Sequence, residues 1–314
     1  MDISFSIIMP TFNRKNCIKN AIDSLLCQTC QNFELIIVDD GSTDGTGEYL
    51  KSVYKKELAD KKIRYILLPK NKGAAYARNE GLKAAKNKWI GYLDTDNQMR
   101  TNFLSTFASA IKNNPSGKIF YAKFKKLNSK QVVGHKFDSE ELIRFNFIDL
   151  GVFVHSAEIY KQLGGFDISL KRLIDWDLII KYTEKYKPTF LGSIVLDYYD
   201  GSDHSRISNN EKHDDNYKEV MLNYYKRLPA SKLIERNRKI KETRNLLVEA
   251  KELLIEKESE ITGLVSKIKQ KDNENKLLND EIISMSNSKF WKLRGLVGKI
   301  RLKLRLTKGW DEEK

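Results

Sequence analysis

The chain is poor in cysteine, proline and histidine, and it lacks any long apolar run. Its three cysteines fall between Cys17 and Cys30, too few and too close together to staple 314 residues. Cys27-Gln28-Thr29-Cys30 spells a C-x-x-C pair. No second pair follows and the first histidine is His135, so the two cysteines read as small residues at a helix end. No apolar run approaches the ~20 residues that cross a bilayer. The opening Met1-Asp2-Ile3-Ser4 shows neither the basic run nor the apolar stretch of a secretory leader. The expectation is a reducing, cytoplasmic setting. Five prolines and 17 glycines exclude a collagen-like or broadly disordered chain.

What is present is charge, together with enough apolar residues for a core. Hydrophobic residues make up 40% of the chain, and 56 Lys+Arg against 42 Asp+Glu leave a net charge of +14. Such a balance suits an anionic partner: nucleic acid, acidic lipid or a phosphate-bearing substrate. Composition does not choose among them.

The pattern changes near residues 228–231. Before Pro229 short β-type runs alternate with helical stretches. After it there is no proline, and glycine occurs only at Gly263, Gly295, Gly298 and Gly309. Three segments follow: a first domain over 1–228, a helical segment over 229–288 and a basic tail over 289–314.

In the first segment, residues 5–9 form an apolar run stopped by Pro10, and 16–26 carry helical spacing. Residues 34–38 make a second buried strand, closed by Asp39-Asp40-Gly41. Ser42 and Thr43 offer caps for a helix reaching about residue 58. Residues 63–68 predict a third strand, 74–85 a helix and 89–93 a fourth strand. Continuous Ile/Val/Leu strands separated by helices indicate an α/β fold with a mostly parallel sheet covered on both faces. Ligands bind such sheets at the carboxyl ends of the strands. Those ends carry Pro10-Thr11, Asp39-Asp40 and Asp94-Thr95-Asp96. Asp94 and Asp96 flank one residue, so an extended segment turns both carboxylates to one side. Paired carboxylates beside a phosphate-bearing ligand suit Mg²⁺ or Mn²⁺, hard ions that prefer oxygen.

These motifs together resemble the family 2 glycosyltransferases. Ser6-Ile7-Ile8-Met9-Pro10-Thr11-Phe12-Asn13, followed by Glu34-Leu35-Ile36-Ile37-Val38-Asp39-Asp40-Gly41-Ser42-Thr43-Asp44, is similar to that family's opening. Asn71-Lys72-Gly73 with Ala77-Arg78-Asn79, then Tyr92-Leu93-Asp94-Thr95-Asp96-Asn97, resembles its D-x-D region. Gly164-Gly165-Phe166-Asp167 and Asp175-Trp176-Asp177-Leu178 resemble its later acidic motif. The four stand in the family's order over about residues 4–208.

The resemblance implies a GT-A fold and inverting transfer of a sugar from a nucleotide-diphosphate donor, commonly a UDP-sugar, to a glycan or lipid-linked hydroxyl in cell-surface polysaccharide synthesis. It implies that Pro10, Thr11, Phe12 and Asn13 line the nucleotide pocket, with Asp40 bonding the base and Arg78 nearby. It implies Asp94 at the ribose or metal, Asp96 as the metal ligand, and Asp175 as the base that deprotonates the acceptor. His204, in a loop after the last core strand, stands where the family often has a further metal ligand. The chain departs from the family's frequent acidic pairs at Ile174-Asp175 and Asp96-Asn97, and Phe12 stands in place of a common tyrosine. A register slip would move the base from Asp175 to Asp177. Two other readings stand beside this one. A sugar nucleotidyltransferase would open with a Gly-rich basic phosphate loop, which is absent, and an inactive nucleotide-sugar scaffold would need no intact aspartates.

Beyond residue 229, Leu233, Ile240, Leu247, Leu254, Ile261, Ile268, Asn275 and Ile282 recur every seven residues. The positions three later are apolar in only half the heptads. This pattern suits a coiled coil, with Asn275 favouring a parallel homodimer; a long helix docked on its own domain is the competing reading. From Lys289 to Lys308 there are eight basic residues and no acid, interleaved with apolar ones. A stretch of this kind binds anionic membrane surfaces, which places the chain on the inner face of a membrane. No nucleic-acid partner is expected.

Overall fold

The computed structural model describes residues 3–201, 213–270, 284 and 293–297. The chain divides into two compact units, Met1–Lys226 and Arg227–Lys314.

The first unit begins with β1 (Phe5–Thr11), α1 (Ile18–Leu26), β2 (Phe33–Asp39), α2 (Thr46–Val53), α3 (Lys55–Ala59), β3 (Ile63–Leu67), α4 (Ala74–Ala84) and β4 (Trp89–Tyr92). It continues through β5 (Gln98–Met99), α5 (Phe103–Asn113), β6 (Ile119–Lys126), β7 (Val132–Val133) and α6 (Ser139–Arg144). A 3-10 turn over Leu150–Val152 leads into β8 (Phe153–Ser156), then α7 (Ala157–Leu163), α8 (Ile174–Thr183), β9 (Thr189–Tyr198) and α9 (His213–Arg227).

The strands form one sheet in the order β3-β2-β1-β4-β8-β6-β9-β5, with β7 beside β6. β2 is buried along its whole length and β1 along nearly all of it, as continuous apolar runs require. Helix α1 lays Ile18, Ala21, Ile22 and Leu25 on the core, the spacing of one helical face. Each fully buried Ile or Leu contributes ~1.5–3 kcal/mol of transfer free energy. Helix α4 packs on β1 at Gly81, where a Cβ would come within 2.4 Å of Ile8 Cγ2. Only glycine lets the helix lie that close.

The first four strands run parallel. The later ones do not, so the sheet is mixed. β8 runs antiparallel to both β4 and β6, while β9 is parallel to β6. This arrangement decides what reaches the ligand edge. The carboxyl ends of β1, β2, β4, β6 and β9 lie at one side of the sheet. Because β8 points the other way, its beginning lies there too and brings Asp149–Val152 with it.

Two local expectations are corrected. The helix expected over about 42–58 is interrupted at Tyr54 and begins at Thr46, with Asp44 Oδ1 accepting from the Thr46 amide at 3.0 Å. Ser42 instead accepts from the Asn13 amide at 2.8 Å. The Asp94-Thr95-Asp96 segment is a turn closed by Asn97 N–H to Asp94 C=O at 3.2 Å, not an extended run. The period-two argument for the two carboxylates therefore does not apply.

The second unit holds α10 (Ala230–Gln270). Its heptad positions Leu233, Ile240, Leu247, Leu254 and Ile261 are half-buried, whereas Ile234 and Ile255 are exposed. Among the described residues no helix is long and apolar enough to cross a membrane. His204, Asn275, Ile282 and most of the basic tail, as well as the side chain of Ile268, lie outside the described residues.

Candidate active site

The loops after β1 and β2 are tied to one another. Thr11 and Asp39 are register partners, and the Asp40 amide donates to the Thr11 carbonyl at 2.8 Å. Asn13 takes a left-handed φ of 53° and accepts from the Thr43 amide at 2.8 Å. Asp39 is buried and accepts from the Ser42 amide at 2.8 Å and the Tyr65 hydroxyl at 2.6 Å. Burial, and then this bond to Asp39, push the Tyr65 phenol well above its ordinary range.

Asp40 is buried as well, and its two oxygens accept the main-chain amides of Lys72 and Gly73 at 2.8 and 2.7 Å. The loop over 70–73 is thereby drawn onto the end of β2. Gly41, at φ +80°, passes so close that a Cβ would meet Lys70 C at 2.9 Å. Phe12, just after β1, stands 42% exposed. Pro10 is half-buried. The Thr11 hydroxyl oxygen is buried without a hydrogen-bond partner among the described residues. An orphaned buried oxygen costs ~1–3 kcal/mol, which a bound polar group would recover.

Arg78 rises from α4, buried, and donates from Nη2 to Asp94 Oδ1 at 2.6 Å. Its guanidinium carbon lies 5.6 Å from the centre of the Phe166 ring, and its Nε has no hydrogen-bond partner among the described residues. Burial opposes the charge on Arg78, but Asp94, and beyond it Asp175, more than offset that and hold its pKa up.

Asp96 turns toward a separate cavity of about 310 Å³, shared with Arg14, Cys17, Asn20 and Tyr199. Burial raises the Cys17 thiol pKa; the Arg14 charge opposes this and the Asp96 charge adds to it. Asn97 is buried and its Oδ1 accepts the Tyr199 amide at 3.1 Å, which ties the D-x-D turn to the end of β9.

A second cavity, of about 410 Å³, is lined by Asp175, Asp149, Asn146, Phe147, Lys126 and Tyr198 among others. Asp175 sits in the first turn of α8 and accepts from Asn146 Nδ2 at 3.1 Å. Burial raises its pKa above the ordinary carboxylate range, Arg78 pulls it back and Asp94 pushes it up again. Asp177, two residues on, is buried in the core. Asp149 accepts from the Gly151 amide at 2.8 Å and caps the 3-10 turn. Burial, then the Asp94 charge, and more weakly the Asp175 charge, push its carboxyl up to about 7.

Thus Asp94 and Asp175 belong to one charged group centred on Arg78, while Asp96 faces the other cavity. Asp149 and Asn146 were not singled out from the sequence, and Asn97 was noted only as a departure from an acidic pair. Asp149 did leave a trace there: it is the lone acid within the apolar run Phe147-Ile148-Asp149-Leu150-Gly151-Val152-Phe153-Val154.

Comparison with known proteins gives three consistent results. The family model for glycosyl transferase family 2 matches residues 6–161. An uncharacterized glycosyltransferase of Rickettsia felis is 43% identical over 130 residues, 37% of this chain and 21% of the relative. The Escherichia coli UDP-Glc:alpha-D-GlcNAc-diphosphoundecaprenol beta-1,3-glucosyltransferase WfgD is 36% identical over 146 residues, 46% of this chain and 54% of the relative. The matches thus span about half or less of these relatives' own lengths. Among solved structures, S. aureus TarS 1-349 in complex with UDP-GlcNAc superposes with a TM-score of 0.61 at 21% identity, covering 70% of this chain and 64% of that one. The likeness in shape shows the fold, a GT-A fold of mixed sheet and flanking helices.

Proposed function

Because the chain belongs to glycosyl transferase family 2, we propose that it moves a sugar, with inversion, from a UDP-sugar to a hydroxyl of a glycan or lipid-linked acceptor in cell-surface polysaccharide synthesis. The observation that carries this reading is the buried Arg78 paired with Asp94, whose charges act on both Asp149 and Asp175. A strand-end carboxylate on the donor side and the carboxylates of the larger cavity form one electrostatic group. The names of the relatives agree in kind, since one takes UDP-glucose and another was solved with UDP-GlcNAc.

On the donor side, Pro10, Thr11, Phe12 and Asn13 hold the nucleotide, Phe12 by stacking and Thr11 through its unpartnered hydroxyl. Asp40 fixes the 70–73 loop and meets the base with the lone pairs those amides leave. Arg78 sets the position of Asp94 at the ribose.

Mg²⁺ or Mn²⁺ takes one or two carboxylates plus substrate phosphate oxygens. Asp96, half-buried in a polar cavity, fits that need, and Asp94 retains the oxygen that Arg78 does not engage. Bound there, the ion would supply positive charge for the departing diphosphate. Among the described residues no three His, Cys, Asp or Glu side chains are grouped to hold a metal unaided. His204 remains a proposed further ligand.

Asp175 accepts the proton of the acceptor hydroxyl. Burial raises its pKa, which makes it a stronger base than an exposed carboxylate, and the Arg78 charge opposes that rise. Helix α10 mediates self-association, and the tail holds the protein at the cytoplasmic face of an anionic membrane. Incubation with Mn²⁺ and a panel of nucleotide-sugars, followed by assay of released nucleoside diphosphate, tests the transferase. UDP released from one donor, and lost in Asp175→Asn, supports it. Donor binding with no release on any acceptor would leave a non-catalytic scaffold.

A further inference from the structure

Asp175 shares its cavity with an unusual set of charges. Among the described residues, Asp149, Asp175 and Asp200 line it, against a single ammonium, Lys126. Asp200 is locked as an anion: the Ser129 hydroxyl and the Asn128 and Ser129 amides all donate to it and hold its carboxyl down to about 2. Asp149 spends Oδ1 on the Gly151 amide, with its other oxygen left toward the cavity it lines. Phe147 and Tyr198 contribute apolar surface, and the volume of about 410 Å³ lies within the range of small-molecule sites.

We propose that this cavity seats an uncharged sugar unit of the acceptor and rejects uronates and sugar phosphates, with Asp149 as the residue that sets the discrimination. The inference rests on the transferase reading. Among the described residues, three lining carboxylates against one lining ammonium leave an excess of negative charge that Lys126 does not balance, and an incoming anion would have to enter against it. The cavity already disfavours charge at two of its members, Asp149 and Asp175. Burial and the neighbouring Asp94 and Asp175 raise the Asp149 carboxyl, and an acceptor carboxylate in the same place meets the same burial and the same neighbours. Neutral hydroxyls instead find acceptors in Asp149 and Asp175 and a polar side chain in Asn146, with aliphatic ring faces against Phe147 and Tyr198.

The test uses the full chain with the UDP-sugar that the donor panel identifies. Methyl glucoside, methyl N-acetylglucosaminide, methyl galactoside and methyl glucuronide are compared as acceptors by initial UDP release at pH 8. The expected result is kcat/KM for the best neutral sugar about tenfold or more above that for the glucuronide, the discrimination being carried in KM. Asp149→Asn should shrink the gap about fivefold, and Asp149→Glu should restore it. The wild-type gap should also narrow as salt rises, which tests the inference even if a variant fails to fold. UDP affinity checks that each variant is intact. A glucuronide as good as the neutral sugars, no stimulation by any neutral sugar over water, or a gap that neither Asp149→Asn nor salt alters would overturn the inference. Failure to bind or cleave any nucleotide-sugar would instead overturn the transferase reading.

Discussion

Arg78 Nη2 lies 2.6 Å from Asp94 Oδ1, and this pair of a buried guanidinium and a part-exposed carboxylate joins the donor edge of the sheet to the cavity that holds Asp175. The guanidinium partly offsets the burial of the cavity carboxylates, since it pulls the pKa of both Asp149 and Asp175 down. Arg78→Met should therefore do two things. It should lower kcat/KM by about 10² or more, because it leaves Asp94 without its buried partner. It should also move the acid limb of the pH–rate profile upward, since Asp175 loses the charge that opposes its burial. A mutant with reduced rate but an unmoved acid limb would separate Arg78 from Asp175.

Asp175→Asn should keep UDP affinity while cutting turnover by about 10² to 10⁴, the range of general-base catalysis. Asp177→Asn is the control. Its side chain is buried in the core, so its cost should appear in thermal stability. Calorimetry and initial rates on both variants decide the assignment, and a larger loss of turnover in a folded Asp177 variant would move the base.

Asp96→Ala should abolish the Mn²⁺-dependent part of UDP binding measured by isothermal titration. Cys17 gives an independent readout, since it lines the cavity that Asp96 faces. Bound UDP with Mn²⁺ should slow alkylation of Cys17 in the wild type but not in Asp96→Ala. Equal metal dependence in both proteins would remove Asp96 from the metal site.

His155 is fully buried between Tyr92, Phe153 and Tyr182, with Nε2 at 2.8 Å from the Tyr92 hydroxyl. Burial depresses its pKa to about 4 from 6.5. The folded state thus binds the proton less readily than the unfolded chain. Its contribution is complete above pH 6.5 and is lost as pH falls through about 4. The shift corresponds to about 3 kcal/mol at full expression. His155→Gln should flatten the fall in denaturation midpoint between pH 6.5 and 4. An unchanged slope would assign acid lability to other groups.

Helix α10 should associate. Leu233, Ile240, Leu247, Leu254 and Ile261 supply one seam, and Leu246 and Leu253 expose further apolar surface beside it. Sedimentation equilibrium of the full chain should give twice the 36.4 kDa chain mass, and a Leu247→Asp/Leu254→Asp variant half of that. A monomeric full chain would assign the seam to contacts within the chain.

Strand and helix placement in the first hundred residues was legible because it is a local matter. The apolar runs at 7–9 and 35–38 must be buried on both faces, although the strands they build continue through Pro10 to Thr11 and on to Asp39. The spacing of Ile18, Ala21, Ile22 and Leu25 likewise demands a helix lying on that sheet. Motif order was enough to point to the family that the 6–161 match identifies. What the sequence left open depends on direction and distance. Period-two reasoning set Asp94 and Asp96 side by side, but a turn hydrogen bond sends them toward different neighbours. The residues after 98 alternate less cleanly, and nothing local says that β8 runs against β4. That reversal carries Asp149 to the ligand edge, where burial and two other carboxylates change its chemistry. The sequence determined which segments are buried and where carboxylates end the strands; only the tertiary structure decided which of those charges feel one another, because Coulomb interactions depend on separation in space and not along the chain.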